Sequence, residues 1–189
     1  MAGRLLVSMT TSIDGFINDA AGAIDWTEPD ADLFAFHLAR VRTLGGCVLG
    51  RRLYQDMLVW ENDPSLPTTP AMVEFAEVWT ALPKVVFSRS LDQVQGNARL
   101  ATGSVAEEVG AMLAETGRDV EIGGADLAGQ ALAADLVDEL RIFRAPVVLG
   151  GGTPLLPALG APLVFERRET RPFPNGVVYE RYLRRRTRG

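Results

Sequence analysis

The sequence predicts an α/β sandwich built on one mixed, mostly parallel sheet with an antiparallel C-terminal hairpin. Two observations carry this reading. Up to about residue 134, short apolar runs alternate with segments of helical period, the mark of strands joined by crossover helices. From Asp138 the pattern changes to strands alone, at Glu139–Leu149, Leu163–Arg171 and Val177–Arg185, the last two joined by a turn containing Pro172, Asn175 and Gly176. With 189 residues and no repeat or linker, residues 1–189 read as one domain.

The elements follow in order. Arg4–Ile13 is the opening strand, followed by a turn at Asp14–Gly15 and a loop through Gly22. Asp30 is an N-cap for a helix over Ala31–Thr43 with Leu33, Phe36, Leu38 and Val41 as its apolar face, stopped by Gly45–Gly46. Cys47–Leu49 is a short strand, and Gly50 opens a helix carrying Arg51, Arg52, Tyr54 and Met57. After the proline-rich Asn62–Pro70 come a helix at Ala71–Ala81, a strand at Val85–Phe87 and a polar turn at Ser88–Arg89–Ser90. Leu100 belongs to a short strand, and Ser104 caps a helix over Val105–Thr116. A strand–Gly–Gly–helix unit occupies Val120–Ala134, and Gly150–Gly152 is a bend after a long strand.

Composition excludes several function classes. A net charge of −5 argues against nucleic acid as a partner. Arg181, Arg184, Arg185, Arg186 and Arg188 read as a solvated last strand and tail. One histidine (His37) and one cysteine (Cys47) rule out a histidine-rich metal site and any disulfide within the chain, so no metal is expected. No apolar run is long enough for a membrane span, and the expectation is a cytoplasmic protein.

Three junctions have anion-binding character. Gly123–Gly124 places backbone N–H groups at a helix start, without the lysine of an NTPase phosphate loop; a tight strand-to-helix packing contact that needs no ligand is the competing explanation. Gly50–Arg51–Arg52 puts two cations where the helix dipole opposes them, which a bound anion would relieve; pairing with Asp56 or Glu61 is the competing explanation. Ser88–Arg89–Ser90 is a third such site, or simply a polar turn. Together they favour a ligand with several phosphates at the carboxyl ends of the strands. For proton handling, Asp32 beside Leu33, Phe36 and Trp26 could be a desolvated acid, whereas Asp14 reads as a turn former and Asp30 as a cap.

Five stretches in order, SMTTSIDGFI (8–17), VLGRRLYQDM (48–57), PKVVFSRSL (83–91), VEIGGADLAGQAL (120–132) and LVDELRIFRAPVVLGGGTPLL (136–156), carry a resemblance. The chain resembles the dihydrofolate reductase-like superfamily, and within it the branch similar to the reductase domain of bifunctional riboflavin biosynthesis deaminase-reductases. The resemblance implies a dihydrofolate reductase-like three-layer sandwich with an NADPH site across strand ends. It would place Gly50, Arg51 and Arg52 on the cofactor phosphates, and Ser88 and Arg89 at the adenosine end with its 2′-phosphate. Gly123, Gly124, Ala125 and Asp126 would line the pyrophosphate and nicotinamide-ribose side. Thr10 and Thr11 would sit near the nicotinamide, with Ile17 on the following loop.

Three positions depart from those relatives: Leu53 replaces the threonine after the arginine pair, Ser8 stands where the riboflavin-pathway reductases carry lysine, and Phe143 where folate reductases carry threonine. The expectation is an NADPH-dependent oxidoreductase passing hydride to a small heterocyclic or carbonyl substrate. Asp32 would be the proton donor or substrate anchor, and Trp26 and Phe36 apolar substrate-binding walls. A dihydrofolate or 5-amino-6-ribosylaminouracil-type reductase proper is the alternative within the enzyme class, and an NADP-binding module without turnover the alternative outside it. The resemblance also implies a homodimer.

Overall fold

The structure is a computed structural model describing residues 3–186; Arg188 lies outside the described residues. Eight strands form one sheet: β1 (Leu5–Thr11), β2 (Leu44–Gly50), β3 (Lys84–Phe87), β4 (Ala98–Leu100), β5 (Asp119–Gly123), β6 (Glu139–Arg144), β7 (Phe165–Pro172) and β8 (Val178–Arg184). Their spatial order is β4-β3-β2-β5-β1-β6-β8-β7. The first six run parallel, and β8 pairs antiparallel with both β6 and β7. The carboxyl ends of β1, β2, β3, β5 and β6 therefore share one rim.

The helices are α1 (Ala31–Val41), α2 (Arg51–Met57), α3 (Val59–Asn62), α4 (Pro70–Ala81), α5 (Val105–Thr116) and α6 (Ala125–Ala133). Local chemistry fixes several starts. The Asp30 carboxylate accepts from Leu33 N–H at 2.8 Å, and Ser104 and Glu107 form a reciprocal capping box.

The two sheet faces differ. One is apolar throughout: Leu5, Val7, Val48, Val85, Val120, Ile122, Leu140 and Ile142 pack under Val109 and Met112 of α5 and Leu127, Ala131 and Leu132 of α6. The other face divides into two apolar clusters. Leu6, Cys47, Leu49 and Val86 pack with Leu38, Val41, Tyr54, Phe75 and Trp79, while Phe143 packs with Leu33, Phe173, Val177 and Tyr179. Such burial contributes about 1.5–3 kcal/mol for each large apolar side chain.

Several sequence-based boundaries move. Gly45 and Gly46 do not stop α1 but lie buried inside β2, where a Cβ on Gly46 would stand 2.5 Å from Met112 Sδ of α5. The strand expected over Glu139–Leu149 ends at Arg144, because Pro146 has no N–H for a ladder and the chain turns back there. Arg181, Arg184 and Arg186 are not merely solvated: they pair with Glu139, Asp135 and Asp138. No helix among the described residues is long and apolar enough to cross a membrane.

Candidate functional site

At the shared rim, β2 and β5 lie side by side with Leu49 opposite Gly123. Gly124 has φ +97°, a conformation that L side chains rarely adopt, and a Cβ there would stand 3.5 Å from Gly50 Cα and N. The two strand ends thus meet backbone to backbone. Ala125 and Asp126 begin α6 directly behind them, with no side chain capping the helix start and the Asp126 carboxylate accepting from Gln130 at 3.0 Å.

Basic groups border this junction. Arg51 reaches Gln55 at 3.2 Å, and neither Arg52 nor Arg89 has an acidic partner among the described residues. Pairing of the arginines with Glu61 is ruled out by geometry, since Glu61 is buried on Lys84 at 3.2 Å. Ser88 Oγ accepts from the N–H groups of Ser90 and Leu91, so it holds the turn that presents the exposed Arg89.

Beside the glycines lies a cavity of about 260 Å³ between the sheet and helices α1 to α4. Phe34, Trp60, Phe75, Trp79 and Phe143 give it aromatic walls, and Leu49, Leu53 and Gly123 join it to the rim. Leu53 covers Gly123: a Cβ on that glycine would run into its Cδ2.

One polar cluster interrupts these walls, in the gap between the two apolar clusters. The nearly buried Arg40 donates from Nη2 to Ser8 Oγ at 2.5 Å and to Glu121 Oε2 at 2.7 Å, and its Nη1 lies 3.2 Å from His37 Nδ1. Its Cζ stands 5.2 Å from the centre of the Phe143 ring. Burial, then the neighbouring Arg40 cation, push the His37 pKa down to about 3, so the imidazole is neutral at ordinary pH. Burial pushes the Cys47 thiol well up, leaving it an inert wall of the same cavity.

Not every residue expected at the site lies here. Asp32 is solvent-exposed, on the stripe of α1 with Ala35 and Ala39, and it does not line the cavity. The desolvated acid expected there is absent, because α1 turns Phe34, His37 and Arg40 toward the sheet instead. Trp26 and Phe36 sit behind Phe143, in the cluster with Phe173 and Tyr179, and are not cavity walls. Thr10 lines the cavity; Thr11 points to the other face and leaves its buried Oγ1 without a partner. Ile17 packs on the apolar core, and its N–H is held by Thr153 O at 2.9 Å. Asp14 is structural, its carboxylate accepting from the Gly150 N–H at 2.8 Å.

The residues that sequence reasoning missed are Phe34, His37, Arg40 and Glu121. Their signal was a glutamate inside an otherwise apolar strand, and a His–Arg pair three residues apart on a buried helix.

The chain matches the RibD C-terminal domain family over residues 4–179. It is 30% identical over 183 residues to the uncharacterised protein YyaP of Bacillus subtilis (strain 168), covering 93% of this chain and 92% of that one. A putative riboflavin biosynthesis protein from Shewanella sp. PV-4 superposes with TM-score 0.79 at 26% identity, covering 98% of this chain and 100% of the other. Dihydrofolate reductase from Enterococcus faecalis, complexed with NADP(H), shares the fold with TM-score 0.63 at 18% identity, over 97% and 98% of the two chains. The expected α/β architecture, with the fold of dihydrofolate reductase, is thereby established. The chain belongs to the RibD C-terminal domain family.

Proposed function

We propose that this protein is an NADPH-dependent reductase of a small heterocyclic or carbonyl substrate. One observation carries the reading: Gly123 belongs both to a glycine junction flanked by basic side chains and to the lining of an aromatic cavity. A dinucleotide on the junction would therefore abut whatever fills the cavity.

The residues present fit the cofactor. Gly50 and Gly124 meet backbone to backbone at the starts of α2 and α6, whose N-termini no side chain caps, and a pyrophosphate would be received by their N–H groups. Arg51 and Arg52 start α2 at the rim, and Arg89 stands at the end of β3 without an acidic partner to neutralise it, suited to a 2′-phosphate. Bound there, NADPH would supply a hydride. The chain's own part is to orient the substrate against Gly123 and Thr10, exclude water with five aromatic rings, and present hydrogen bonds from the polar cluster. Asp32 has no part in this reading, since it faces solvent.

Two narrower readings remain as proposals. A dihydrofolate or ribosylaminouracil-type reductase proper would have to work with Ser8 and Phe143 in the cavity. An NADP-binding module without turnover is kept open by Leu53, Ser8 and Phe143, three cavity-lining positions that depart from the catalytic relatives. Oxidation of NADPH, followed by absorbance against a panel of aromatic ketones, pyrimidinones and quinones, separates them. Turnover of any member supports a reductase, its chemical class separating the first narrower reading from the general one; tight NADPH binding without oxidation across the panel supports the module.

A further inference from the structure

The polar cluster of the cavity restricts what can bind there. A guanidinium carries donors only, so the 3.2 Å contact between Arg40 Nη1 and His37 Nδ1 makes Nδ1 the acceptor. A proton on Nδ1 would face those donors head-on, which excludes both the Nδ1–H tautomer and the imidazolium. The ring proton therefore sits on Nε2, which has no acceptor among the described residues, and His37 lines the cavity. The Ser8 hydroxyl, which accepts from Arg40, keeps its own proton for donation beside it. The charges of the cluster cancel: Arg40 is paired with Glu121 at 2.7 Å, so no net positive charge is left to hold an anion. The remaining walls are mainly apolar, five aromatic rings together with aliphatic side chains such as Leu49, Leu53 and Met57.

We infer that the cavity takes an uncharged, flat carbonyl compound whose oxygen is received by His37 Nε2–H, with Arg40 as the positioning residue that fixes the imidazole tautomer. This rests on the reductase reading only in making that compound the substrate; the ligand chemistry of the cavity is tested without cofactor. A neutral imidazole in a dry site is a competent donor to a carbonyl. The arrangement discriminates against anions by desolvation and against carbonyl-free hydrocarbons by one hydrogen bond.

His37 is the only histidine, so a sample labelled with ¹⁵N-histidine gives a single imidazole. The expected spectrum near neutral pH is the Nε2–H tautomer. Acetophenone should move the Nε2 resonance and quench Trp60 and Trp79. Ethylbenzene should quench without moving it and bind about tenfold more weakly, the worth of one hydrogen bond. Benzoate should do neither at the same concentration. His37→Gln, which retains an N–H donor, should keep the preference for acetophenone over ethylbenzene, and His37→Phe should lose it. Arg40→Lys should mix the two tautomers.

An Nδ1–H or cationic ring in the unmodified protein, an Nε2 resonance unmoved by acetophenone, or benzoate bound as tightly as acetophenone would each overturn the inference. NADPH affinity, measured separately, reports on the reductase reading: its loss with acetophenone binding intact refutes that reading and leaves this one standing.

Discussion

His37 Nδ1 and Arg40 Nη1 lie 3.2 Å apart on the buried side of α1, one turn from each other. The contact places the sole histidine against a cation that is itself held by Glu121 and Ser8. It joins residues from α1, β1 and β5 into one patch, and it adds to burial, the larger cause, in depressing the basicity of the imidazole. That depression has a measurable consequence for the stability of the whole protein.

The unfolded chain protonates His37 near the ordinary value of 6.5, whereas the folded chain does so only near 3, because of burial and then of Arg40. Between those limits the unfolded state binds the extra proton. Stability is therefore fully present above about pH 6.5 and is lost on acidification toward pH 3, by up to about 1.4 kcal/mol per pH unit from this one residue. Denaturant melts of the native protein and His37→Gln at several pH values test this. The two curves should diverge in slope between pH 6.5 and 4; parallel curves would show that His37 titrates normally.

Lys84 should matter to the fold out of proportion to its charge. Its ammonium is buried, donating to Trp79 O at 2.6 Å and Leu82 O at 3.0 Å, and it pairs with buried Glu61 at 3.2 Å. It thereby satisfies carbonyls at the end of α4 and anchors α3, whose Trp60 walls the cavity. Lys84→Met leaves Glu61 buried and unpaired and should cost about 3–5 kcal/mol. Adding Glu61→Leu should recover part of the loss, as read by urea unfolding.

How much of this was legible in the chain depends on the range of the forces. The Asp30 cap, the Ser104 box and the strand–Gly–Gly–helix unit rest on neighbours within a few residues, and the sequence shows them directly. The rotational phase of α1 does not. Leu33, Phe34 and Phe36 look interchangeable in sequence, and only packing against β1 and Phe143 decides that Phe34, with His37 and Arg40, faces the cavity while Asp32 faces water. Trp26 and Phe36 were misplaced for the same reason. Ser8, Arg40 and Glu121 become neighbours through parallel pairing, which sets Leu6 opposite Glu121. The excess length given to β6 came from reading hydrophobicity past Pro146.

The two adjacent glycines should respond differently to substitution. Gly124→Ala meets a positive φ that L side chains rarely adopt, although the Gly50 backbone stands at ordinary contact distance, and should cost about 1–3 kcal/mol in stability together with most NADPH affinity. Gly123→Ala meets the end of the Leu53 side chain, which can turn away, so the fold should survive. Pairing it with Leu53→Ala should restore stability and binding to near the level of Leu53→Ala alone, in a double-mutant cycle read by calorimetry.

Arg89 should set the choice between the two nicotinamide cofactors. It is exposed at the end of β3, on a turn fixed by Ser88, and a charge-assisted contact with a 2′-phosphate is worth about 1.5–3 kcal/mol. Arg89→Ala should lower the preference for NADPH over NADH by about 10- to 100-fold, mostly by weakening NADPH. An unchanged ratio of the two dissociation constants would move the 2′-phosphate elsewhere on the rim.

The central claim, that the rim of β2, β3 and β5 holds NADPH against the aromatic cavity, is tested most directly by thermal unfolding of the unmodified protein with and without millimolar NADPH. A ligand at about 100 times its dissociation constant adds about 2.7 kcal/mol to the folded state. The account predicts a rise in Tm that Gly124→Ala abolishes and that NADH reproduces only in part. An unchanged Tm at millimolar NADPH would contradict it.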